Sequence, residues 1–205
     1  MGPDTLFVIL TLIFSVIVHE VMHGVAADWL GDPTARYAGR LTINPIPHID
    51  VIGSIIVPIL SSFGGFFFGW AKPVPINPYN FRRLREWGEA ITAAAGPLSN
   101  LALALIFGVL MRLGILPGLE SLLMYIVAIN CSLFMLNLIP IPPLDGSKIL
   151  TALLPYPLRN SYLQLRAVLD ANFFLGFFLV IIFVNVFGSE YSQLVFVLAR
   201  TIAGM

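Results

Sequence analysis

The run His19-Glu20-Val21-Met22-His23 places two imidazoles and a carboxyl within five residues. Residues four apart share one helical face, so a helix here aims both imidazoles at a single point with Glu20 beside them. That is the geometry of a zinc-bound hydrolase site. The chain holds only three His in 205 residues, and two of them fall in this run. It follows Leu6 to Val18, an apolar segment able to sit in lipid, where ionisable groups are expensive and face a partner, a cavity or an ion.

A catalytic zinc takes three protein ligands and keeps one position open. His19 lies about fifteen residues into its predicted helix, which puts it in the inner half of a bilayer. At that depth Glu86, Glu89, Asp50, Asp145, Asp170 and His48 remain as candidates for the third ligand. Asp145 is the first choice, because Pro140, Pro142 and Pro143 cannot continue a helix and free a carboxylate just inside the membrane. His48 and Asp50, at the mouth of the re-entrant segment, come next, although a polar turn accounts for them better. Zinc would lower the pKa of its water and polarise the scissile carbonyl. Glu20, next to a ligand without being one, can take the water's proton and pass it to the leaving amine. The developing oxyanion needs a further donor, and Asn137 can supply it. Asn137 can instead satisfy backbone groups freed by the prolines.

The elements that must position these residues are apolar. The hydrophobic fraction is 58%, charged residues make up 11%, and mean hydropathy is +0.91, which defines a multi-span membrane protein. Formal net charge is zero, so no nucleic-acid footprint is visible. Cys131 is the only cysteine and lies inside a span, which excludes a disulfide framework and a Cys-based zinc site. The N-terminal apolar run reads as a retained helix rather than a signal peptide. Four spans are predicted, at about 4–30, 87–113, 119–140 and 171–188. Residues 189–205 read as interfacial, leaving a fifth or sixth crossing open. The predicted fold class is thus an all-α polytopic membrane protein, one membrane-embedded domain over 1–205. Its core is 4–155 and its C-terminal spans fall within 156–205, with an amphipathic connection from Pro155 to Asp170 and a short helix over Ser147 to Leu154.

A further run, Val51 to Trp70, is equally apolar but carries Pro58 and several Ser and Gly residues, a poor continuous helix. If it dips in and returns, Arg36, Arg40, Lys72, Arg82, Arg83 and Arg85 share one side with Lys148, Arg159 and Arg166. Only Arg112 and Arg200 then lie opposite, as the positive-inside tendency requires. This sets the N-terminus outside and the site towards the cytoplasmic side of the cell membrane. Residues 36–78 become a re-entrant region whose arms, Arg36 to Ile43 and Trp70 to Ile76, alternate as strands do and could pair as a β-hairpin. Pro73 and Pro75 limit the second arm to one pairing edge. In the second span, Ala95-Gly96-Pro97-Leu98-Ser99-Asn100 suits close helix packing, with Asn100 able to hydrogen-bond across it.

His19-Glu20-x-x-His23 in one span, Ala95-Gly96-Pro97-x-x-Asn100 in a second, and Asn137-x-x-Pro140 leading to Leu144-Asp145-Gly146 in a third together resemble the site-2 protease family of intramembrane zinc metalloproteases. The resemblance covers residues 5 to 155. It implies Asp145 as third zinc ligand beside His19 and His23, Glu20 as catalytic acid/base, and Asn137 as a substrate- or oxyanion-contacting residue. It further implies transmembrane protein substrates, cut close to the cytoplasmic side as in regulated intramembrane proteolysis. The 36–78 region looks like the family's re-entrant β element, thought to clamp an unwound substrate. Substrate identity and oligomeric state are left open.

Overall fold

A computed structural model describes residues 3–57, 59 and 71–205. Among the described residues, seven α-helices carry the fold: α1 (Pro3–Leu30), α2 (Thr34–Tyr37), α3 (Gly88–Arg112), α4 (Glu120–Asn137), α5 (Asp145–Leu153), α6 (Tyr156–Ala171) and α7 (Phe173–Ala203). Among the described residues, four helices are long and apolar enough to cross a membrane: α1, α3, α4 and α7. Their outer faces present large side chains such as Leu10, Phe14, Ile106 and Phe178, as helices apolar all round do in lipid.

The centre of the bundle is α3, which packs on α1, α4, α5 and α7. Its buried face repeats at every fourth residue as Gly88, Thr92, Gly96, Asn100, Ala104 and Gly108. Residues four apart form one ridge, and a ridge this small lets neighbouring backbones approach. At its far end, Ala104 joins Val127, Cys131, Ala199 and Ile202 in a buried cluster, and Arg112 Nε donates to the Ile202 carbonyl at 2.8 Å.

No strand occurs among the described residues, so the expected β-hairpin is not formed. Residues 34–37 are helical, and Arg40 N closes a turn onto the Ala35 carbonyl. Residues 71–77 have no regular structure. The prolines explain this: Pro73 and Pro75 remove alternate donors, and the donors beside them go elsewhere. Lys72 N donates to the His48 carbonyl at 2.9 Å, Val74 N to Glu20 at 2.9 Å and Asn77 N to Asp32 at 2.6 Å. The apolar run from Val51 opens with a π-helical turn, Val51–Ile56, capped by the Asp50 carboxylate. Its expected re-entrant course falls mostly on 58 and 60–70, outside the described residues.

Two further expectations are corrected. The last span does not stop at 188, because α7 continues unbroken to Ala203. Through Gly188-Ser189-Glu190, Ser192 Oγ bonds back to the Gly188 carbonyl at 2.6 Å and Ser189 Oγ to Glu190 at 2.7 Å. Polar side chains satisfied locally leave the helix free to run on. Asp145, in turn, is not loose from helical structure. It is the first residue of α5, where a carboxylate complements the helix dipole.

Candidate functional site

The turns between α4 and α5 bring Asp145 back to α1. Gly146 makes this possible: a Cβ there would overlap the Leu138 carbonyl, so only glycine lets α5 start against the end of α4. His19 Nε2 and Asp145 Oδ2 are 3.2 Å apart, His23 Nε2 and the same oxygen 3.1 Å, and the two Nε2 atoms 3.0 Å. All three residues are buried. Gly96 of α3 faces them, and a Cβ on it would stand 2.5 Å from His23 Nε2 and 2.6 Å from His19 Nε2.

The outer ring nitrogens are held by α3. His19 Nδ1 donates to Asn100 Oδ1 at 2.7 Å, and His23 Nδ1 donates to the Thr92 carbonyl at 2.7 Å. The Asn100 orientation follows from its other end, since Nδ2 donates to Asn130 Oδ1 at 3.0 Å and the Ser15 carbonyl at 3.3 Å. Asn130 Nδ2 donates onward to Ser15 Oγ at 3.0 Å. This chain joins α1, α3 and α4 and fixes one imidazole's tautomer, as partners behind a metal-bound histidine do.

With both Nδ1 atoms committed outward, neutral rings leave three lone pairs converging, and fully protonated rings set two N–H groups head on. Neither is favourable alone; a cation satisfies all three atoms. Burial by itself would push the Asp145 carboxyl up, but the two imidazoles against its Oδ2 and the Lys148 ammonium, 3.6 Å away, hold it well below the usual carboxylate range. The separations of 3.0–3.2 Å approach the edge of roughly 3.4 Å expected for a tetrahedron with zinc bonds near 2.1 Å. His19, His23 and Asp145 are the metal-capable group among the described residues.

Glu20 lines the same cavity, of about 380 Å³, together with Thr92, Asn137 and segment 71–77 through Pro73, Val74 and Ile76. One carboxylate oxygen accepts from Val74 N. Asn137 Nδ2 donates to the Leu133 carbonyl one turn back at 2.9 Å. Arg166, also in the lining, lies between Glu89, at 3.1 Å, and Asp170, at 3.2 Å. His48 and Asp50 lie outside the metal-capable group. His48 donates through Nε2 to the Thr42 carbonyl at 2.9 Å, and Asp50 caps the π-helical turn. Ser15, Asn130, Arg40 and Asp32 were not among the expected site residues. Asn130 had a signal, because a carboxamide in mid-span needs a partner.

Two imidazoles and a carboxylate closing on one point, with a separate glutamate in the same cavity and membrane-length helices around them, define a zinc metalloprotease of the multi-pass membrane type. The sequence profile of Peptidase family M50 matches residues 7–116 and 115–183. YwhC of Bacillus subtilis (strain 168), provisionally named a zinc metalloprotease, is 37% identical over 168 residues, 77% of this chain and 74% of its own length. Rip2 of Mycolicibacterium smegmatis, under the same provisional name, is 30% identical over 146 residues, 69% of this chain and 54% of Rip2. Rip2 of Mycobacterium tuberculosis is 29% identical over 173 residues, 82% and 63% of the two chains. No solved structure gives a significant match. The chain belongs to peptidase family M50.

Proposed function

We propose that this protein hydrolyses peptide bonds within or near transmembrane segments of other membrane proteins, as in regulated intramembrane proteolysis, with its site towards the cytoplasmic side. The observation that carries this is the depth of the site. His23 and His19 lie seven and eleven residues before Leu30, the end of α1, about 10 and 16 Å along the helix at 1.5 Å per residue. That depth among membrane-length helices supports a substrate drawn from the membrane, and the charge distribution of the loops supports the cytoplasmic assignment.

On this reading residues 1–205 form one membrane-embedded catalytic unit in which His19, His23 and Asp145 hold zinc. When bound there, zinc acts as a Lewis acid on the scissile carbonyl and makes water acidic enough to attack. Glu20 takes the water's proton on the oxygen not engaged by Val74 and returns it to the leaving amine. Asn137, whose amide has a second N–H beyond the one spent on Leu133, steadies the oxyanion or the substrate backbone.

The test is Glu20→Gln in the full chain, assayed on a transmembrane reporter and on a soluble peptide. Zinc content stays stoichiometric and cleavage of the transmembrane reporter falls by about 10²–10⁴-fold. Unchanged cleavage removes Glu20 as the base. A wild-type enzyme that cuts only the soluble peptide overturns the intramembrane assignment.

A further inference from the structure

Arg40 is a guanidinium with 5% of its surface exposed. It makes no ion pair among the described residues, and its Nε has no hydrogen-bond partner there. A buried charge with no ion pair among these residues is costly. Its contacts indicate what it does. Nη2 donates to the Lys72 carbonyl at 2.5 Å and lies 3.4 Å from His48 Nδ1. The His48 carbonyl accepts from Lys72 N at 2.9 Å. Lys72 is thus gripped at both its backbone groups, two residues before the Val74 amide that binds Glu20 at 2.9 Å. Burial disfavours the charge on Arg40, and the Glu20 carboxylate is the group whose charge favours it.

We propose that Arg40 is a positioning residue for the catalytic base, holding segment 71–77 so that the Val74 N–H fixes the Glu20 carboxylate. A glutamate on a helix facing a cavity has several rotamers. One oxygen anchored by a backbone amide leaves the other aimed at one place. The segment cannot hold itself by a strand ladder, because Pro73 and Pro75 lack donors. Side chains must do it instead, with Arg40 and His48 before Val74 and Asp32 after it, through Asn77 N at 2.6 Å.

This rests on the reading of Glu20 as the base, and the experiment keeps the two apart. Arg40→Met, Arg40→Lys, Val74→Pro and Val74→Ala are made in the full chain. Zinc content, thermal unfolding, kcat and KM are measured on whichever substrate the wild type cuts. Arg40→Met keeps its zinc and loses kcat by about 10–100-fold, the effect of a misplaced group, while KM moves by less than about twofold. Arg40→Lys, still cationic and still a donor to the Lys72 carbonyl, recovers most of that loss. Val74→Pro deletes the N–H and matches Arg40→Met, whereas Val74→Ala, which keeps it, falls far less. Full kcat in Arg40→Met or Val74→Pro overturns the proposal. So does a rise in kcat, which makes the segment a plug over Glu20, and so does loss of zinc in both variants, which makes it a support of the fold. Active Glu20→Gln removes the base assignment itself, independently of what Arg40 does.

Discussion

The two sides of the cavity are built in opposite ways. On the metal-capable side, His19, His23, Asn100, Asn130 and Ser15 stand on membrane-length helices and are tied from helix to helix across separations of 30 to 115 residues. On the base side, Glu20 meets a backbone amide of an irregular segment, itself pinned by Arg40, His48 and Asp32. The first arrangement is stiff because each donor has an acceptor on another helix. The second can shift without unfolding a helix. Holding a cation and turning over substrate should therefore respond separately to mutation.

The largest expected effect is from Asp145→Ala, which removes one of three converging donors. Zinc content of the purified protein and cleavage fall together, and full stoichiometric zinc in that variant would move the third ligand elsewhere. Next comes Asn100→Ala. It leaves the donors in place and frees the His19 Nδ1 proton, so zinc affinity falls by about 10–100-fold, read by chelator competition. Asn130→Ala, one step further from the ring, gives a smaller drop. If Asn100→Ala lowers kcat with no change in zinc affinity, the division between the two sides is wrong.

The smallest effect belongs to Asp32, fully buried where the base side meets α1. Burial pushes its carboxyl up, but hydrogen bonds from Thr34, Asn77 N and Asn80 outweigh that and hold it below the ordinary carboxylate value. A depressed carboxylate adds stability that is complete above its unfolded pKa and disappears as pH falls through the folded one. Asp32→Asn therefore lowers stability by about 1–3 kcal/mol near neutrality, and its deficit against wild type shrinks below the ordinary carboxylate range. Thermal unfolding at a series of pH values checks this; a deficit that persists unchanged in acid contradicts it.

What could be read from the chain follows the same division. Hydropathy located α1, α3 and α4, the four-residue spacing of His19 and His23 joined them on one face, and the proline break before Asp145 marked where a carboxylate re-enters. Those are local signals, and the structure brings the three residues together. Of the Ser15–Asn130–Asn100 chain, a bond from Asn100 across a helix contact was expected, but its partners were not legible, since nothing within a few residues of Asn130 records a partner on α1. The alternation in 36–43 and 70–76 suggested strands because the pattern reports side-chain polarity and says nothing about where each N–H goes. The unbroken α7 was missed for a related reason: residues 189–205 are too short to cross when taken by themselves, and their length says nothing about their continuing the helix before them.

Both imidazoles give their outer protons to fixed acceptors on α3, one a carboxamide and the other a main-chain oxygen. Neither ring can rotate or exchange tautomers without breaking into the neighbouring helix, so neither can serve as a relay. On the proposed mechanism, the hydrogen ion taken from water and handed to the departing amine travels on a single carboxylate, with no imidazole to share the load.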